Sequence, residues 1–545
     1  LHVISLQPNP QKTLSSDVII NLVAKNPELK ILPVGLQTFE NLIKGNYLYV
    51  DKTKRIYDLI KNPQGVYFLS RPRRFGKSLT ISTLDAIFKN KRELFKGLWL
   101  DTSEYKWQEY PVIRIDMTTP GKSSAQILQS DLIIRLEQRA EEEGLTLIKA
   151  SLGSVFTDLI QKLANKFQKK VVVLIDEYDK AILDNIAKTE VAKECRDVLK
   201  EFYSVLKAQD ENIRFILLTG VSKFSKVSVF SGLNNIKDIS MLPEYADLCG
   251  YTQEELDHYF EGYIQANGFT ECNTEEALRE MIKSWYNGYR FSPDSELKVY
   301  NPFSTLLLFD NKSFKNYWFA SGTPKFLIDI IDEQKFIEVE TFENLVAKIT
   351  DLEKFDFDNF HLPSILFQTG YLTIKDFSSG FLKLAYPNTE VRDSFIDELL
   401  TCFSKQDRSK NTLLIYELHT AIQSNSLEEF FEILKSYLAA IPYDIQLPLE
   451  KYYQSMIYMI CRLVSERFLA EVRTNKGRID MFLETSSHIY IFEFKLNDSA
   501  ENALKQIIDN KYSEAYLSSN KQIVLIGVGF DIDARNISNY QIIVQ

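Results

Sequence analysis

Val66-Tyr67-Phe68-Leu69-Ser70-Arg71-Pro72-Arg73-Arg74-Phe75-Gly76-Lys77-Ser78-Leu79 runs from an apolar, strand-like segment through an arginine-rich loop into a helical pattern that continues to Phe88. A strand, a loop closing on Gly-Lys-Ser and a following helix form the context in which backbone amides and the helix dipole can surround phosphate groups. In such a loop Lys77 is expected to reach the terminal phosphates and Ser78 to bind magnesium, with Arg73, Arg74, Phe75 and Gly76 lining the nucleotide. Arg71 departs from the pattern, because it stands where the first glycine of the motif is expected. Spacing alone therefore leaves the assignment open.

Two stretches further along supply the rest of a phosphate-handling site. Val171 to Ile175 reads as a buried strand that ends in Asp176 and Glu177, placing a metal-orienting and a water-activating carboxylate at the carboxyl end of a sheet. Arg214 to Thr219 is a second apolar strand, whose terminal Thr219 is expected to sense the last phosphate. The competing reading is that Asp176 and Glu177 merely open a solvated helix. Strands are predicted at 66–69, 112–115, 171–175 and 215–219, alternating with helices at 124–142 and 155–167. This alternation predicts an α/β fold with a parallel sheet covered by helices.

These residues carry a resemblance. Leu32-Pro33-Val34-Gly35, Tyr49-Val50-Asp51-Lys52-Thr53, the loop from Arg71 to Ser78, Asp176-Glu177-Tyr178-Asp179 and Thr219-Gly220-Val221-Ser222-Lys223-Phe224-Ser225 resemble the bacterial AAA-ATPase-like family. In that family an arginine commonly replaces the first loop glycine. The resemblance implies a P-loop NTPase sheet joined to a C-terminal α/β domain of the PD-(D/E)XK nuclease type, with ATP and Mg2+ as cofactors. It also implies kinship with ATPases in which nucleotide binding works as a switch. Gly250-Tyr251-Thr252, Tyr286-Asn287-Gly288-Tyr289-Arg290-Phe291 and Tyr300-Asn301-Pro302-Phe303 are similar to the same family. Read physically, the Asn-Gly step suits a tight turn pinned by aromatic rings, while Arg290, like Arg73 and Arg74, is a candidate phosphate contact.

Four regions are expected: a lead-in over 1–30, a P-loop ATPase domain over 31–245, a mostly helical middle region over 246–445 and a nuclease-like domain over 446–545. Thr252 with Glu255, Asn273 with Glu276 and Ser426 with Glu429 have the spacing of helix capping boxes. Strands return at 468–473, 478–484, 489–496 and 523–528, with a helix at 500–512 between the last two.

Gly477-Arg478-Ile479-Asp480 and Phe492-Glu493-Phe494-Lys495 form a second candidate site. Strand alternation turns Phe492 and Phe494 to the core and displays Glu493 and Lys495 on a polar, open face. With Asp480 on a neighbouring strand, Asp480 and Glu493 would offer oxygen ligands to a metal, and Lys495 a fixed positive charge. A solvated strand edge would show the same alternation. The resemblance, together with the order strand, strand, helix, strand, favours the site and makes Gln506 its auxiliary polar residue.

At 545 residues the chain exceeds one core, and its 45% apolar and 25% charged composition is that of ordered globular protein. The apolar runs are strand-sized, so no membrane span is predicted, and residues 1–30 lack the pattern of a secretory signal. Five scattered cysteines and five histidines offer neither a disulfide framework nor a zinc motif, which predicts a reducing, cytoplasmic setting. A net charge of −10 argues against a general coat for nucleic acid but leaves room for a local basic channel. The expectation is an ATP-hydrolysing enzyme with Mg-dependent nuclease action on DNA or RNA. The alternative is an ATP-dependent switch or scaffold with a silent nuclease fold that binds nucleic acid or a protein partner. Self-association to a homo-oligomer is left open.

Overall fold

The computed structural model describes residues 29–545 apart from 119–120, 122, 187, 224–229, 231–232, 234, 267, 321–326, 329–330, 332–337, 353–360, 442–449, 465–466, 474–477 and 532. Most of the expected lead-in, and Phe224, Ser225 and Gly477, lie outside the described residues.

Strands β1 (Gly65–Ser70), β2 (Val112–Asp116), β3 (Val171–Asp176), β4 (Ile213–Gly220) and β5 (Lys237–Asp238) form one sheet in the order β2-β3-β4-β1-β5. Every pairing is parallel. Every residue of β3 and β4 is buried, as uninterrupted Val, Ile and Leu runs must be when helices cover both faces. Helix α1 (Lys77–Phe88) packs against β2, β3 and β4, while α2 (Ala125–Glu141), α3 (Leu152–Phe167) and α4 (Thr189–Ala208) pack on one another. The order places β4 between β1 and β3. The loop after β1 and the acids after β3 therefore flank the end of β4.

In the middle region α5 (Gln253–Tyr259), α6 (Glu275–Tyr286) and α7 (Pro302–Asn311) enclose their own apolar cluster. Leu256, Phe260, Ile282 and Tyr286 fill it together with Leu48 and Val50 from the N-terminal segment. Three strands, β6 (Leu345–Lys348), β7 (Thr373–Ser378) and β8 (Phe381–Ala385), form an antiparallel sheet in the order β6-β8-β7. Sequence reading missed this sheet, since the strands are short and carry exposed Lys375, Asp376 and Lys383. Helices α8 (Thr389–Ser404), α9 (Arg408–Gln423), α10 (Leu427–Ala439) and α11 (Glu450–Val464) lead to the C-terminal sheet.

That sheet has the order β13-β12-β11-β10-β9, from β9 (Arg467–Arg473), β10 (Arg478–Glu484), β11 (His488–Leu496), β12 (Gln522–Asp531) and β13 (Asn536–Val544). Only the β11–β12 pairing is parallel, and a parallel pair needs a crossover. Helix α12 (Ala500–Asp509) provides it, lying so close to β12 that a Cβ on Gly527 would come within 2.2 Å of the Ala500 carbonyl. One face of the sheet, with Tyr490, Phe492 and Phe494, joins the main core; the other, with Ile489 and Ile491, packs under Leu504 and Ile507 of α12. Strand β13, mostly exposed and uncharged, gave no apolar signal to predict it. Among the described residues no helix is long and apolar enough to cross a membrane.

Candidate active sites

The loop between β1 and α1 is shaped by backbone conformations that few residues accept. Gly76 has φ +93° with open space around it, and Arg74 also takes a left-handed φ of +65°. Arg71, 1% exposed, points away from the concave side and donates from its guanidinium to the carbonyls of Ser70, Ser240 and Tyr245 at 2.7–2.9 Å. It acts as an internal brace, and burial pulls its pKa down to about 10. Lys77, 4% exposed, donates from Nζ to the carbonyls of Arg71 and Pro72, each at 3.0 Å. Among the described residues no ion pair engages this ammonium, so its charge is held by neutral loop oxygens. An anionic group at the mouth of α1 is the natural partner for it.

Asp176 and Glu177 lie at the carboxyl end of β3 and face different surroundings. Asp176 is buried and accepts the Thr219 hydroxyl at 2.5 Å across the β3–β4 pairing. Glu177, at a left-handed φ of +53°, turns into the cleft with Lys77 and Ser78. Burial holds its carboxyl above the usual range, opposed by Lys77 and reinforced by Asp179 and Asp176. Thr219, expected to sense the last phosphate, is corrected: it is fully buried outside the cleft lining, with its hydroxyl directed at Asp176. Asp179 is structural: it accepts the Val221 and Ser222 amides and the Ser222 hydroxyl, pinning the turn after β4.

The cleft has a volume of about 420 Å³, within the range of small-molecule sites. Its phosphate end carries Lys77, Ser78, Glu177 and Asp116, the last at the end of β2 opposite Asp176. Its other walls come from Pro33, Gly35 and Val50 on one side and Cys249, Tyr251 and Phe303 on the other. Sequence reading missed Asp116 and did not place these walls at the cleft, although the family resemblance runs through Pro33, Gly35, Val50, Tyr251 and Phe303. A polar residue ending a buried strand was the available signal for Asp116; the walls are assembled from segments some 200 residues apart, so local pattern could not bring them together. Arg290 is corrected as a phosphate candidate: its guanidinium donates to the Ser292 and Pro293 carbonyls at 3.1 and 2.7 Å and pairs with Glu296 at 2.9 Å, outside the cleft wall. The turn at Gly288 is ring-pinned as expected, with Tyr289 and Phe291 edge-on to Phe75 at 4.7 and 5.4 Å.

In the C-terminal sheet β10 and β11 are antiparallel neighbours with Met481 opposite Phe492, which sets Asp480 beside Glu493. Asp480 Oδ2 accepts the Phe494 amide at 2.9 Å, and Lys495 Nζ lies 3.7 Å from Glu493 Oε1. Gln506 of α12 donates to the same Glu493 oxygen. The expected open face is corrected here: Glu493 is only 2% exposed, because the crossover helix covers this side of the strand. Burial, helped by Asp480 and opposed by Lys495, pushes the Glu493 carboxyl up to about 8. Its Oε2 is buried with no hydrogen-bond partner among the described residues. Such an orphaned oxygen beside a second carboxylate is what a cation would satisfy. No cluster of three His, Cys, Asp or Glu is present among the described residues. Two carboxylates nonetheless suit magnesium, which binds through one or two and keeps several waters.

Residues 33–230 match the family described as "Predicted AAA-ATPase", and residues 449–540 match the PD-(D/E)XK nuclease superfamily. An uncharacterized protein in the vnfD 5′ region of Azotobacter chroococcum mcd 1 is 37% identical over 527 residues, spanning 94% of this chain and 98% of its own length. Among solved structures, a chain from the structure of Drosophila ORC bound to AT-rich DNA and Cdc6 aligns with 71% of this chain and 99% of its own. Its identity is 10% and its TM-score 0.19, which carries no argument.

Proposed function

The chain belongs to the AAA-ATPase-like family with a C-terminal PD-(D/E)XK nuclease superfamily domain, and from that premise we propose that it binds and hydrolyses ATP with Mg2+ in the N-terminal cleft and cleaves DNA or RNA at the C-terminal carboxylates. The observation that carries the proposal is Glu493, a buried carboxylate with one oxygen unpartnered, set between Asp480 and Lys495. An ionised carboxylate buried this way costs stability unless a cation joins it, which points to a site for chemistry.

In the N-terminal cleft Lys77 would contact the terminal phosphates, Ser78 and Asp176 would hold Mg2+, and Arg73, Arg74, Phe75 and Gly76 would enclose the phosphates. Glu177 faces the same space and accepts a proton from the attacking water. Thr219 fixes Asp176 through its hydroxyl. At the C-terminal site Asp480 and Glu493 would hold the metal and Lys495 would stabilise charge on the scissile phosphate, with Gln506 orienting Glu493. Bound there, the metal supplies charge neutralisation and lowers the pKa of its water.

The test is incubation of the purified protein with plasmid DNA and with RNA, in Mg2+ or Mn2+, with and without ATP. The wild type is expected to cleave at least one substrate, and Asp480→Ala, Glu493→Ala and Lys495→Ala to lose cleavage. No cleavage by the wild type in any metal or nucleotide state, or unchanged cleavage by the carboxylate variants, would leave the ATP-dependent switch with a silent nuclease fold in its place.

A further inference from the structure

Five consecutive residues of the phosphate loop are each gripped by the middle region. Arg71 lies against the Phe291 ring at 4.2 Å and Arg74 against Phe303 at 4.9 Å. Pro72 abuts Gly370, where an added Cβ would come within 2.7 Å of the proline ring. Phe75 meets Tyr289 and Phe291, and the Arg73 carbonyl accepts the Trp318 indole N–H at 3.0 Å. The loop is therefore built into the middle region rather than exposed beside it.

Trp318 differs from the other contacts because its opposite end is also fixed. Its backbone N–H donates to Glu390 Oε1 at 2.6 Å, and Ser304 of α7 donates to Glu390 Oε2 at 2.8 Å. Glu390 is fully buried, and burial pushes its carboxyl up to about 8 against neutral donors only: Trp318, Ser304 and Tyr317. A buried carboxyl without a cation is an expensive way to join three elements. Its position gives it a purpose, since it opens α8 while gripping the residue that touches the loop.

Helix α8 continues the connection. It packs on α11, where the Tyr452 hydroxyl donates to the Phe403 carbonyl at 3.4 Å and Arg462 approaches Asp393 at 3.9 Å. Helix α11 in turn meets the nuclease sheet through Tyr453 and Phe530, with rings 5.5 Å apart. The trigger lies at the other end. Lys77 spends two of its three donors on the carbonyls of Arg71 and Pro72, so a phosphate drawing on this ammonium pulls on the loop immediately before the Arg73 carbonyl that Trp318 holds.

We propose that Trp318, seated on Glu390, is a positioning residue that reads the state of the phosphate loop and passes nucleotide occupancy through α8 and α11 to the nuclease domain. This rests on the two sites acting as described under Proposed function. Energetic coupling of this kind needs a contiguous element that both sites bias, and the Arg73–Trp318–Glu390 chain is that element.

The experiment uses the full chain as wild type, Trp318→Phe, Glu390→Gln and Glu390→Ala. Phenylalanine keeps the ring packing on Tyr371 but removes the indole donor. Titration with Mg-ATP should change the tryptophan emission of the wild type, and the Trp318→Phe protein should lack that change although it retains Trp99, Trp107 and Trp285. Cleavage by the wild type should differ with and without Mg-ATP. Trp318→Phe and Glu390→Ala should cleave at the nucleotide-free rate in both conditions while still binding ATP by calorimetry. Glu390→Gln, whose amide oxygen in the place of Oε1 still accepts the Trp318 N–H and lies 3.1 Å from the Ser304 hydroxyl, should keep the dependence. The inference is overturned if saturating ATP leaves Trp318 emission unchanged, or if Trp318→Phe keeps a wild-type nucleotide dependence. Failure of the wild type to bind ATP in calorimetry would overturn the functional reading and this inference together. ATP binding and an emission change without cleavage would remove only the nuclease end of the path, leaving Trp318 as the reader of the loop.

Discussion

At the scale of single residues, buried ionisable groups with unused hydrogen-bonding capacity mark both sites. Lys77 is buried against neutral carbonyls, and a charge-assisted contact with phosphate is worth roughly 1.5–3 kcal/mol. Lys77→Ala should therefore weaken ATP binding by about one to two decades in calorimetry, whereas Glu177→Gln should bind ATP and fail to hydrolyse it. Glu493 predicts a pH dependence. Its folded-state carboxyl sits near 8, above the ordinary 4.5, so the folded chain holds a proton there that the unfolded chain has lost. Its contribution to stability is full below the unfolded value and is lost as pH rises through about 8. Without metal, denaturant midpoints should fall from pH 5 to pH 8 more in the wild type than in Glu493→Gln. Metal binding displaces that proton, so Mn2+ affinity should rise over the same interval. Parallel pH profiles for the two proteins would show that Glu493 does not hold the proton.

At the scale of elements, close approach and capping decide how the sites are assembled. Glycine at 527 lets α12 settle onto β12 opposite Glu493, and a Cβ there would fall 2.2 Å from the Ala500 carbonyl and 2.6 Å from the Leu504 amide. These are backbone atoms that cannot swing aside. Gly527→Ala should push α12 outward, lowering stability by about 1–3 kcal/mol, in the range of overpacked cores, and separating Gln506 from Glu493. Thermal melts and cleavage assays should show both losses, with ATP binding retained. Capping was only partly legible. Thr252 and Glu255 form the full reciprocal box, but the second helix is capped by Thr274 rather than Asn273, and the Ser426 side chain makes no cap bond. Thr274 caps without the box's acid, since Ala277 stands three residues on, so the box spacing did not pick it out.

For the whole molecule, the main core runs without interruption from Phe39 through the middle region to Phe492 and Phe530 of the nuclease sheet. A ligand that binds only the folded state stabilises whatever unfolds with its site, by about 2.7 kcal/mol at a concentration 100 times Kd. Saturating Mg-ATP should therefore raise the unfolding temperature of the C-terminal sheet along with that of the N-terminal domain. Scanning calorimetry with and without nucleotide checks this. A C-terminal transition that stays in place while an N-terminal one moves would show that the shared core does not couple them.

The sequence by itself determined the strands on which the candidate residues lie. Buried runs such as Val171–Asp176 and Ile213–Gly220 announce themselves by composition; Glu177 follows from where one of them stops, Lys77 from the loop between a strand and a helix, and Glu493 from alternation within its strand. Local pattern reaches no further, because the remaining features are made between segments distant in the chain. The burial of Glu493 depends on a helix crossing above it, the brace at Arg71 on carbonyls at residues 240 and 245, and the hold of Trp318 on the phosphate loop on a partner 245 residues away. Periodicity reports which face of an element is apolar; only tertiary packing decides what comes to rest against the other face and whether a charge there meets water, a partner or neither.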